Sequence, residues 1–128
     1  MKVLGFLVST LISTQLFAAT VELGKYQAVP KDFPDVLAAL ELLVDNQATV
    51  RINAEGVIIN CTGTYAVTEN ELNAHANCDH EAAPEINVSI DMTTVTPEGL
   101  RSEDGVEVPV KFDLMGDDVF LFILRKVD

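Results

Sequence analysis

Apolar and polar side chains alternate along most of this chain, and a period of two marks strands with one buried face. The two clearest runs are Val57 to Thr68 and Glu71 to His80. With Glu69 and Asn70 as a two-residue turn, Val67 faces Leu72, Tyr65 faces Ala74, Gly63 faces Ala76 and Cys61 faces Cys78. That single register gathers the apolar residues on one face and sets the cysteines opposite each other. The two agreements come from separate features of the sequence. Upstream, Ala48, Val50 and Ile52 alternate with Thr49, Arg51 and Asn53, and a Glu55-Gly56 turn pairs Ile52 with Ile59 and Val50 with Cys61. The three strands form a meander with one consistent inward face.

Other segments extend the pattern. Val21 to Ala28 alternates with a change of parity that predicts a bulge near Gly24, and a turn-rich connection runs from Val29 to Pro34. Residues 35–44 read two ways. Val36, Leu37, Leu40, Leu43 and Val44 fit a helical stripe behind Pro34, whereas Leu40, Leu42 and Val44 fit a strand. The reading adopted is a short helical turn near 34–39 followed by a strand. Ile86, Val88, Ile90 and Met92 make a further strand. A loop from Thr96 to Gly105 has room for one helical turn capped by Thr96. Val106 to Leu114 alternates around Pro109, which places an edge, a bulge or an outward donor site there. Val119 to Leu124 is continuously apolar and is expected to be buried on both faces.

These segments predict an all-β fold, an antiparallel meander of about eight strands joined by short turns. Closing the meander into a small barrel removes exposed edges, and a two-layer sandwich is the alternative. The hairpin register puts Cys61 and Cys78 at a non-hydrogen-bonded pair, where Cα atoms lie about 4.5 Å apart, within reach of a disulfide. The cysteines are not spaced as a redox motif at a helix start, so the bond is read as structural.

The compartment follows from the first residues. Met1-Lys2 precedes a diluted apolar run to Phe17 and then Ala18 and Ala19, the pattern of a secretory signal peptide over residues 1–18. The run is too short and too polar for a membrane span, so no anchor is expected after cleavage. A single domain over 19–128, secreted or periplasmic, is consistent with an even cysteine count. The formal net charge is −12 at pH 7. That balance argues against nucleic acid and anionic membrane surfaces and favours a basic protein or a cation as partner, or serves solubility alone.

Candidate chemistry is sparse. The chain has two histidines. His75 is expected on the outer face with Asn73 and Asn77, and His80 at a strand end beside Asp79 and Glu81. A metal site there would need further ligands from distant segments, and a solvated loop cluster is the plainer reading. No serine lies in a nucleophile-elbow setting, no calcium-loop motif occurs, and the acid pairs sit in turns. Neither an enzyme nor a cofactor is implied. Asn60-Cys61-Thr62 and Asn87-Val88-Ser89 match glycosylation sequons on outer faces.

Gly24-Lys25-Tyr26 in the first strand, with Arg125 or Lys126 near the last, resembles the calycin pattern of Gly-x-Trp covered by a basic residue. Tyrosine replaces the usual tryptophan, and Gly63-Thr64-Tyr65 repeats the pattern mid-chain. The chain thus looks like a small lipocalin-like (calycin-type) barrel. In size, compartment and disulfide it is also similar to bacterial periplasmic barrels that inhibit lysozymes or proteases, without an inhibitory loop motif. The resemblance implies a non-enzymatic exported barrel for a small hydrophobic ligand, with Gly24, Tyr26 and Arg125 as the structural motif. Tyr26, Tyr65, Met92 and Phe112 are the expected cavity lining. Small inward residues such as Ala48, Gly63, Ala74 and Ala76 leave space that is either a cavity or is filled by Met92, Phe112, Phe120 and Phe122. The competing reading is an acidic protein-binding module that inhibits a basic hydrolase.

Overall fold

The computed structural model describes residues 21–128, so the expected signal segment lies outside the described residues. The elements are β1 (Gly24–Pro30), β2 (Val36–Leu42), β3 (Gln47–Ala54), β4 (Val57–Thr68), β5 (Glu71–His80), β6 (Ala83–Asp91), α1 (Pro97–Arg101), β7 (Val106–Phe112) and β8 (Val119–Lys126). Each strand pairs antiparallel with the next, and β8 pairs with β1, which closes the barrel. The sandwich alternative is excluded. Across β3, β4 and β5 the register is the one derived from the sequence, from Ile52 opposite Ile59 to Cys61 opposite Cys78. Glu55 (φ 52°) and Gly56 (φ 88°) take the left-handed conformation that a tight hairpin turn needs.

Three expectations are corrected. Residues 34–39 form no helical turn, because β2 is a strand from Val36 onward. Ala38 pairs with Ala28 and Ile52, Leu40 with Tyr26 and Val50, and Leu42 with Gly24 and Ala48. Ladder bonds on both sides, together with period-two burial, outweigh a helical stripe whose last member, Val44, remains 65% exposed. Next, β1 begins at Gly24 and pairs with β2 without a register shift, so the change of parity lies ahead of the strand and is not a bulge. Finally, β8 is buried on one face only. Phe122 and Leu124 point inward, whereas Val119 is 61% and Leu121 41% exposed on the outer wall. Lys31 follows β1 and Glu107 lies on β7, yet their side chains meet at 2.8 Å, spanning the outer face of β8 between them.

The barrel has two unlike ends. At one, Met92, Val95 and Leu100 are buried beneath the β6–β7 connection, which contains α1. Pro97 opens that helix, and the Thr96 hydroxyl caps it by accepting the Gly99 N–H at 3.0 Å, as expected from the sequence. The other end carries only the connections 31–35, 55–56, 81–82 and 113–118.

The seam between β6 and β7 is short. Its pairs are Val88–Phe112, Ser89–Lys111 and Ile90–Val110. Pro109, which has no N–H to give, lies just past the last of these. On the other side the Asp113 carboxylate takes over from the ladder, accepting the Asn87 N–H and the Asn87 amide, both at 3.0 Å.

Candidate functional site: barrel interior and loop end

The core residues of the interior are apolar, and among the described residues no polar or charged residue is buried. Phe112 and Phe122 project from β7 and β8 toward Ala28, Ala38 and Ala74, which face them from other strands, so large and small side chains interlock. The chamber left among them is about 40 Å³. A second gap of about 10 Å³ lies toward the helix-capped end beside Tyr26, Leu42, Met92 and Leu124. Sites for drug-sized ligands run to about 300–1,000 Å³. The expected lining residues do not meet in one chamber: Phe112 borders the larger gap, Tyr26 and Met92 the smaller, and Tyr65 neither.

At the capped end the ring of Tyr26 is enclosed, and its hydroxyl donates to the Glu22 carbonyl. The Lys126 ammonium lies 5.6 Å from the ring centroid, a cation over an aromatic face, and it also pairs with Asp128. Burial pushes the phenol up to about 12, against the opposing effect of its hydrogen bond to Glu22. It is therefore Lys126, and not Arg125, that covers the ring. Lys126 shares the inward parity of Phe122 and Leu124, whereas the Arg125 stem packs over Gly105. Gly24 leaves the space that Lys126 occupies, since a Cβ there would lie 2.6 Å from Nζ.

The Cys61–Cys78 disulfide is formed, with Cα atoms 4.0 Å apart. Its Cys61 half is buried in the core. The β5–β6 register shifts by one residue between Asn77 and His80, placing a bulge at the cysteine. Beside it the Asp79 carboxylate accepts the Asn60 N–H at 3.0 Å and the Asn60 amide at 3.3 Å. These bonds hold its carboxyl below the usual range. Asn60 and Asn87, the two sequon asparagines, thus each have the side-chain nitrogen engaged by an aspartate.

The histidines stand in polar networks on the outside. His75 Nδ1 is 2.8 Å from the Asn87 side-chain oxygen Oδ1, while the Ser89 hydroxyl donates to the Asn73 side-chain oxygen at 2.7 Å. His80 Nδ1 accepts the Ala82 N–H at 3.1 Å. Among the described residues no group of three or more His, Cys, Asp or Glu could hold a metal ion. No helix among them is long and apolar enough to cross a membrane.

Two surface features complete the inventory. A groove of about 560 Å³ runs along the outer wall of β1–β4, floored by Ala39, Thr49 and Thr62 and flanked by Lys25, Glu41 and Arg51. The loop end is different in kind. Phe33 is 46% and Val57 48% exposed, and Ile58 and Leu114 are also exposed. Phe33 stands edge-on against Phe120, with centroids 5.9 Å apart, tying the β1–β2 loop to the start of β8. Around them Asp32, Asp35, Glu55, Glu81, Asp117 and Asp118 are exposed, and none joins an ion pair with a described residue. Lys31, next to Asp32 in the same connection, is held by Glu107. This convergence escapes sequence reasoning because each loop contributes one or two unremarkable turn residues, and only barrel closure brings them to one end.

Compared with known proteins, the chain matches no family model, and no curated protein or solved structure matches it significantly.

Proposed function

We propose that this chain is an exported, non-enzymatic, lipocalin-like binding barrel that recognises a basic protein, such as a cationic hydrolase, through its acidic surface. The observation that carries this reading is the contrast between the interior and the loop end. A chamber of about 40 Å³ offers little to a ligand, while the loop end displays apolar side chains among unpaired carboxylates. The formed disulfide supports export, since such bonds persist in oxidising compartments. Charge complementarity of this type steers association and makes it depend on salt. The test is binding of the domain to lysozyme, a basic hydrolase, measured by calorimetry at about 20 and about 200 mM salt. Binding that weakens steeply with salt supports the reading, and no binding to lysozyme or to any basic extracellular protein at low salt refutes it.

A small apolar ligand is the second reading, favoured by the wholly apolar lining of the chamber. It requires Phe112 or Phe122 to move aside. Uptake of a hydrophobic fluorophore, with emission shifted to the blue and lost in a Phe112→Trp variant that fills the chamber, supports it.

A further inference from the structure

The loop end combines exposed large apolar side chains with carboxylates that join no ion pair with a described residue. The outer wall of β8 exposes Val119 and Leu121, but Lys111 and Arg125 flank it, and the Lys31–Glu107 pair spans it. Those two cations disfavour a basic partner there. The groove on β1–β4 carries Lys25 and Arg51. The capped end also exposes Leu43 and Val44 beside Asp45, but it is partly closed by α1, and its cations Arg101 and Lys126 are each paired with a carboxylate. At the loop end, by contrast, Phe33 and Pro34 stand between Asp32 and Asp35, Val57 and Ile58 follow Glu55, and Leu114 precedes Asp117 and Asp118. Apolar anchors interspersed with charge are features of a recognition patch.

We propose that the loop end, centred on Phe33, Val57, Ile58 and Leu114, docks a segment of a basic protein in which one large apolar side chain is flanked by lysine or arginine. This rests on the function proposed above and specifies its surface and the chemistry of what fits it. The apolar side chain of the partner would lie on Phe33 and Val57, and its flanking cations would meet Asp32, Asp35 and Glu55 on one side and Asp117 and Asp118 on the other.

The chain contains no tryptophan, so a tryptophan in the probe reports binding without background. The probe is a cyclic peptide with one tryptophan between two lysine pairs, compared with lysozyme as a whole protein. Phe33→Ser combined with Val57→Ser is expected to weaken both by about tenfold or more, whereas Val119→Ser with Leu121→Ser on the β8 wall leaves them unchanged. All four side chains are exposed, and amide shift mapping on the unaltered domain gives a readout that needs no variant. Shifts confined to residues 31–35, 54–58 and 113–118 support the proposal. Binding that survives the loop variants, or shifts centred on β8 or on the β1–β4 groove, overturns this docking surface while leaving the basic-partner reading intact. Absence of binding to every basic probe overturns both.

Discussion

The Lys126 ammonium sits over the enclosed ring of Tyr26, 5.6 Å from its centroid, and joins the last strand to the first. The phenol is held up to about 12 against an ordinary 10.0, chiefly by burial. The folded state therefore binds its proton more tightly than the unfolded chain does. Tyr26 contributes fully below the unfolded value, and stability falls as pH rises from about 10 toward about 12. Tyr26→Phe is expected to flatten that decline and to remove a phenolate absorbance step near pH 12. A Tyr26 that ionises near pH 10 in the folded protein would refute this.

Reduction of Cys61–Cys78 removes a cross-link that closes a short loop. The expected loss is about 3 kcal/mol, seen as a fall in Tm on the order of 12 °C. Binding to a basic partner should persist at temperatures where the reduced domain stays folded. A reduced protein that is folded but no longer binds would contradict a purely structural bond.

Gly63 is the least replaceable residue of the β4–β5 hairpin. A Cβ there would lie 1.9 Å from the His75 carbonyl oxygen and 2.6 Å from the Ala76 Cα, both backbone atoms. Gly63→Ala should cost about 2–3 kcal/mol in urea unfolding. A change within about 0.5 kcal/mol, the range of an ordinary surface substitution, would mean that the strands separate freely at this point.

The Asp79 carboxylate is held below its usual 3.8, first by the Asn60 N–H and then by the Asn60 side chain. Its contribution is present above the unfolded value and disappears as pH falls through the lower folded one. Asp79→Ala is expected to shift acid unfolding toward higher pH. The carboxyl carbon of Asp79, followed by NMR, should titrate below 3.8. A midpoint at or above that value would show the clamp on Asn60 to be open in solution.

Much of the fold was legible because two signals agreed. Alternation and turn chemistry each placed Cys61 opposite Cys78 and Val50 opposite Cys61, and neither depends on the rest of the barrel. Where one signal stood alone the reading failed. The stripe from Val36 to Val44 fits a helix as well as a strand, and only pairing with β1 and β3 decides it. The apolar run of β8 suggested burial on both faces, but the barrel has no second layer to cover Leu121, and the Lys31–Glu107 pair takes that place. The choice between Arg125 and Lys126 turned on one residue of parity, which follows from where β8 begins. The loop end was not legible at all, because its four connections lie far apart in sequence and meet only through the topology.

Opening the barrel at the short β6–β7 seam would leave one continuous sheet in the order β7-β8-β1-β2-β3-β4-β5-β6. Every pairing in that sheet is between strands consecutive in sequence, apart from that of β8 with β1. The seam is where the fewest ladder bonds resist separation, so breathing motions of the folded protein concentrate there. Amides of Ser89 and Lys111, which bond each other across the seam, should exchange with solvent ahead of those in β3–β5. A guest molecule seeking the interior would enter through this cleft rather than through either end.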